Sequence, residues 1–182
     1  MRLSSLRRQR GITQLESLAA LVVLALAMLG MVGAQLRTLA ETQTGVRRAQ
    51  AVRLVEDLAE RIKANPAGFR QLPNYVTQWD AAPQAPDCRA TPCDAASLAA
   101  FDIATWKQSV ADILPLGKSK VFEITGGAAA GAARQLGVMV GWRANERASD
   151  DASYGKPFAV DAGDTPVECP AGLFCHLVYV QP

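Results

Sequence analysis

The single histidine of this chain, His176, directly follows Cys175 near the C-terminus. A mechanism that needs serine or cysteine, histidine and a carboxylate therefore has one candidate base, and that base lies in a stretch that reads as a strand. His176 is accordingly read as a structural or surface residue. Gly117-Lys118-Ser119 has the ending of a phosphate-binding loop, but the glycine such a loop needs five positions earlier is Asp112. Gly126-Gly127 to Gly131 lacks the following helix and acidic residue of a dinucleotide fingerprint. The four cysteines, Cys88, Cys93, Cys169 and Cys175, lack the two-residue spacing of a zinc site. No catalytic, cofactor-binding or metal-binding residue is assigned, and the chain is read as non-enzymatic with no cofactor.

One ionisable group does stand in an unusual place. Glu16 immediately precedes 20 residues, 17–36, among which only Ser17 and Gln35 have polar side chains. A carboxylate in or beside hydrocarbon costs about 2.5 to 3.5 kcal/mol on insertion scales, so Glu16 asks for a partner. The apolar run makes a helix of roughly 30 Å, the thickness of a hydrocarbon core. Arg2, Arg7, Arg8 and Arg10 hold the N-terminus cytoplasmic by the positive-inside rule, which sends the chain beyond the span across the membrane. Those four arginines outweigh the net charge of +2, so the rest of the chain is slightly acidic and no general nucleic-acid-binding body is expected. With 182 residues, 49% apolar and 20% charged, the chain has room for one domain and is neither disordered nor collagen-like.

The elements that position these residues are set by periodicity. Val52, Val55, Leu58 and Ile62, with Leu54 and Ala59 beside them, recur at three- and four-residue steps, so the helix continues in amphipathic form from residue 37. Asn65-Pro66 ends it, giving about 52 residues and roughly 78 Å from Thr13 to Ala64, with Gly30, Gly33 and Gly45 as its weak points. Pro66 to Pro92 holds five of the ten prolines and reads as a long ordered loop. Asp94 or Ser97 caps a short extra helix with Leu98, Phe101, Trp106, Val110 and Ile113 near one face. Phe101 and Trp106 are read as core. Strands are expected at Lys120 to Thr125, Leu136 to Trp142, near Phe158 to Val160, and at Phe174 to Val180, with a glycine- and alanine-rich connection over 126–133. Four cysteines allow three pairings. An oxidising compartment favours disulfides, and the small loops favour Cys88-Cys93 and Cys169-Cys175.

The segment Arg7-Arg8-Gln9-Arg10-Gly11-Ile12-Thr13-Gln14-Leu15-Glu16, continued at once by the apolar helix, resembles the class III signal of type IV pilins and pseudopilins. The resemblance implies that prepilin peptidase cuts between Gly11 and Ile12, that Ile12 becomes methylated, and that Glu16 is the glutamate at the fifth mature position, forming an assembly charge pair with the Ile12 amine. Ile12 replaces the usual Phe, and Gln14 stands where an apolar residue is usual. Two other readings of the N-terminus are an export signal cut after Val32-Gly33-Ala34 and an uncut anchor. Asp57 to Pro66, Cys93, Ala99-Ala100-Phe101-Asp102, Trp106 and Leu114-Pro115 resemble the minor pilins of the pilus-modification family, PilV.

The implied fold is α+β: a long N-terminal helix packed on an antiparallel sheet of three to four strands. The expected organisation is a cleaved leader over 1–11, a membrane and assembly helix over 12–36, its amphipathic continuation over 37–65, and an extracytoplasmic domain over 66–182. The resemblance implies a minor pilin that takes part in type IV pilus assembly or priming and in pilus-dependent motility or adhesion. Its implied partners are prepilin peptidase, other minor pilins, the major pilin, the inner-membrane assembly platform and the membrane itself, with no nucleic acid. It would cross the inner membrane once before entering a pilus. The alternatives are a pseudopilin of a type II secretion system and a membrane-anchored periplasmic binding domain.

Overall fold

A computed structural model describes residues 14–124, 135–143, 159–161 and 166–181. The leader residues Gly11 and Ile12, and the 126–133 connection, lie outside these. The chain divides into two compact units after Thr42. Helix α1 (Gln14–Ala64) is unbroken through Gly30, Gly33 and Gly45, and it stops one residue before Asn65-Pro66, where the proline forbids helical backbone to its predecessor.

In the second unit, α1 gives way to a 3-10 helix (Gly68–Tyr75) and then to α2 (Ala95–Ile113). The segment expected to be loop from Pro66 to Pro92 thus begins with regular structure, which buries Leu72 and Tyr75 three residues apart, the 3-10 repeat. Asp94 caps α2 by accepting from the Ser97 N–H at 2.8 Å, which also holds the Asp94 carboxyl below its ordinary range. At 19 residues α2 is not short, and its buried stripe is Ala99, Asp102, Ile103, Trp106 and Val110. Trp106 and Val110 of the expected stripe are buried as expected, whereas Leu98, Phe101 and Ile113 are not fully buried. Phe101 is half-buried beneath the Arg89 guanidinium at 5.6 Å, and Ile113 is 48% exposed.

Strands β1 (Lys118–Glu123), β2 (Leu136–Trp142) and β5 (Phe174–Val180) form an antiparallel sheet in the order β1-β2-β5, while β3 (Ala159–Asp161) and β4 (Pro166–Glu168) form a separate two-stranded ribbon. Thr77 adds a single bridge to the free edge of β1 at Val121. Alternation along β2 sends Leu136, Val138, Val140 and Trp142 to one face, where they meet Leu54, Val55, Leu58 and Ile62 of α1 together with Trp106 of α2. Met139 points the other way, into a smaller cluster with Phe122 and Val167 that Trp79 and Leu177 flank. Every residue of β2 is therefore buried. Cys88 is joined to Cys93 and Cys169 to Cys175, the second bond tying the residue after β4 to β5.

Two glycines of opposite character test this packing. Gly137 sits across from Phe122 in the β1–β2 register, and a Cβ there would land in the Phe122 ring, which the small cluster holds in place. Gly45, inside α1, has nothing within 4 Å of its Cβ direction. Gly137→Ala is expected to lower unfolding free energy by about 1 to 3 kcal/mol, as overpacking does, whereas Gly45→Ala should raise it by up to about 1 kcal/mol. Urea unfolding of the two variants with their disulfides intact measures both signs.

Candidate assembly helix and the groups that seat it

The first unit contains α1 from Gln14 to Thr42, and every side chain in it is exposed. Leu15, beside Glu16, is 77% exposed. A window of this helix has mean hydropathy 2.4 with none of it buried, so among the described residues nothing covers the apolar surface. Nine Leu and Val side chains lie between Ser17 and Leu36. At roughly 0.3 to 0.6 kcal/mol each they favour insertion by about 3 to 5 kcal/mol, enough to carry Glu16 at the rim. An all-round apolar helix of this length suits lipid, or other helices of the same kind. Glu16 is in the first described turn, whereas its expected partner, the Ile12 amine, lies outside the described residues. Beyond the span, Arg37 pairs with Glu41 one turn later at 3.3 Å.

In the second unit, α1 from Gln43 onward is one-sided. Ala51, Leu54, Val55, Leu58 and Ile62 are buried. The Trp106 indole N–H donates to the Leu54 carbonyl at 2.6 Å, so a buried ring of α2 is fastened to the backbone of α1. At the end of α1 the Asn65 amide donates to the Ala95 carbonyl at 2.8 Å and to the Tyr75 hydroxyl at 3.2 Å, while its oxygen accepts from the Ala67 N–H at 3.1 Å. Asn65 thus links the end of α1 to the 3-10 helix and to the first residue of α2. Arg61 binds Asp57 at 2.8 Å and reaches Asp102 at 3.5 Å. Burial nonetheless pushes the Asp102 carboxyl above its ordinary range, outweighing the Arg61 charge, and burial likewise raises Tyr75.

Lys107 performs a similar fastening on the other side of α2. Its ammonium donates to the carbonyls of Gln78 at 2.6 Å, Ser119 at 3.0 Å and Trp79 at 3.3 Å, holding the loop before α2 against β1. Burial lowers its pKa to about 8. Sequence reasoning missed Lys107, and it read Asn65 as the place where α1 stops and as part of the Asp57–Pro66 resemblance, without its hydrogen bonds. His176 sits on β5 opposite Val140, and burial, with Arg48 second, keeps it below its ordinary range and neutral at pH 7. Among the described residues no group of three or more His, Cys, Asp or Glu could hold a metal ion.

The sign of the Lys107 effect is opposite to that of a paired lysine. Between about pH 8 and the ordinary value of 10.5 the folded chain binds fewer protons than the unfolded one, so stability contributed by this site rises with pH across that window. Lys107→Gln should abolish this rise, as followed by urea unfolding at stepped pH.

No curated protein and no solved structure matches the chain. Residues 33–104 do match a family model, described as Tt1218-like, type IV pilin Tt1218. The matched stretch runs from the end of the apolar run through the 3-10 helix and into α2, and it includes Leu54, Arg61, Asn65, Tyr75 and Asp102. Over this stretch, which is less than half of the chain, the protein is similar to the type IV pilins, and the apolar run of the long helix and the small antiparallel sheet, which lie largely outside the match, fit the fold of a pilin subunit.

Proposed function

We propose that the chain is a minor pilin, most like the pilus-modification protein PilV, whose work is assembly rather than chemistry. The observation that carries this reading is Glu16 at the head of an apolar helix that none of the described residues covers. A segment made only for export or anchoring has no use for a carboxylate there. In this proposal prepilin peptidase removes residues 1–11, Ile12 becomes the methylated N-terminus, and methylation keeps its positive charge. As helices pack into a fibre or a priming complex, the amine and the Glu16 carboxylate enter apolar surroundings together. Either charge alone would cost several kcal/mol there, and facing one another they offset much of it. The partners are then the assembly platform, other minor pilins and the major pilin, with residues 66–182 outside the cytoplasm.

This separates Glu16 from insertion and processing. Glu16→Ala should insert in the inner membrane and be cut after Gly11 as the parent is, because neither step uses the pair. Its share in sheared pili should fall by at least about tenfold, corresponding to ~1.4 kcal/mol of lost pairing. Immunoblots of sheared and membrane fractions read both quantities. Incorporation equal to the parent contradicts the charge-pair mechanism.

A further inference from the structure

Where α1, the 3-10 helix and α2 meet, two carboxylates face one guanidinium. Arg61 Nε binds Asp57 Oδ2 at 2.8 Å, one turn back on the same helix, whereas its Nη1 reaches Asp102 Oδ1 on α2 only at 3.5 Å. Thr105 does not relieve the shortage, since its hydroxyl donates to the Phe101 carbonyl at 2.8 Å and can only accept from Arg61, at 3.4 Å. The other oxygen, Asp102 Oδ2, meets the Tyr75 hydroxyl at 3.5 Å, and that hydroxyl accepts from the Asn65 amide at 3.2 Å. Depth makes the shortage matter. Asp57 has 45% of its side chain exposed, so water screens its charge, while Asp102 has 10% exposed. The carboxylate with the longer contacts is thus the deeper one.

One cation cannot neutralise both acids, and a buried charge left over is costly. Among the described residues, the charged or titratable groups acting on Asp102 are Arg61 and Asp57 from α1 and Tyr75 from the 3-10 helix. A proton removes the excess, and the geometry gives it a place. Oδ1 faces the guanidinium, which repels a proton, so the proton belongs on Oδ2, beside the Tyr75 oxygen. We propose that Asp102 is a proton-binding site that switches the fastening of α2. With Asp102 ionised, Arg61 is shared between Asp57 and Asp102 and ties α2 to α1 by charge. With Asp102 protonated, Arg61 stays with Asp57 on its own helix, and α2 is held to the 3-10 helix and the end of α1 through Tyr75 and Asn65. Burial raises the Asp102 carboxyl above its ordinary 3.8, so above that value the folded chain binds more protons here than the unfolded one. Stability from this site is therefore present in acid and is lost as pH rises through the folded midpoint. His176 acts in the opposite sense, since burial lowers it from 6.5, and global unfolding would mix the two. The readout must be local.

The test is an NMR titration of the full chain in detergent micelles, isotope-labelled in its aspartate carboxyl carbons and tyrosine rings. The Asp102 signal is the one missing from Asp102→Asn. Its midpoint is expected above the ordinary 3.8, and the Tyr75 ring carbon that bears the hydroxyl should change shift with the same midpoint. Asp57→Asn, at an exposed position, leaves the guanidinium to Asp102 and should move that midpoint down, while Arg61→Gln should move it up. An Asp102 midpoint at or below 3.8 overturns the proposal, and so does a Tyr75 signal that ignores the Asp102 titration. A midpoint unmoved in Asp57→Asn also overturns it, and this reading stands by itself should Arg61→Gln fail to fold.

Discussion

Helix α1 must satisfy two different solvents along one backbone, and most of the remaining structure depends on the second of them. From Gln14 to Leu36 its side chains face outward all round, and the only ionisable one is that of Glu16. From Ala51 to Ile62 it presents one apolar stripe, which would be as costly in water as the first half is unless something covers it. The cover is α2, the 3-10 helix and one face of the sheet. Hydrogen bonds then hold that cover to the backbone: Trp106 to the Leu54 carbonyl, and Asn65 to Ala95 and Tyr75. Removing either anchor would cost its hydrogen bond together with the packing of the buried side chain that makes it.

The sheet has a different difficulty, since β2 is buried on both faces and has to leave room for neighbours on each. Its glycines solve this by making room for neighbours. Gly137 lies under Phe122, and a Cβ at Gly141 would crowd Cys175 Sγ at 3.2 Å. Trp79 reaches over the same face, its indole donating to the Glu168 carbonyl at 3.1 Å, while the Cys169–Cys175 bond ties the end of β4 to β5. Lys107 completes the closure by holding the carbonyls of Gln78 and Trp79. Among the described residues a short ribbon, a loop and a disulfide thus cover this face.

The features legible in the sequence were those that repeat. The apolar run, the stripe on α1, the proline stop and the strands at Leu136–Trp142 and Phe174–Val180 are all read from period and punctuation. On α2 the buried stripe was legible at Trp106 and Val110, while Leu98, Phe101 and Ile113 were misplaced on it because bulk alone does not mark the face. In the structure Ala99 and Asp102 are buried, the first by size and the second by its contacts with Arg61 and Tyr75, and Phe101 is left to the Arg89 guanidinium. The 3-10 helix was missed although Leu72 and Tyr75 are three residues apart, since prolines dominated that stretch. Lys107 left no pattern, because carbonyl acceptors carry no side-chain signature. For the assembly helix, Glu16 and its apolar neighbours were legible at once, while the other half of the charge pair depends on a cut that only chemistry on the protein can reveal.

Everything proposed for Glu16 depends on that cut, and the intact mass of the membrane-extracted protein reads it without intermediaries. The expected mass is that of a chain beginning at Ile12, carrying one methyl group and two disulfides. A chain beginning at Gln35, as an exported soluble domain would, or one retaining Met1, as a plain anchor would, contradicts the assembly mechanism.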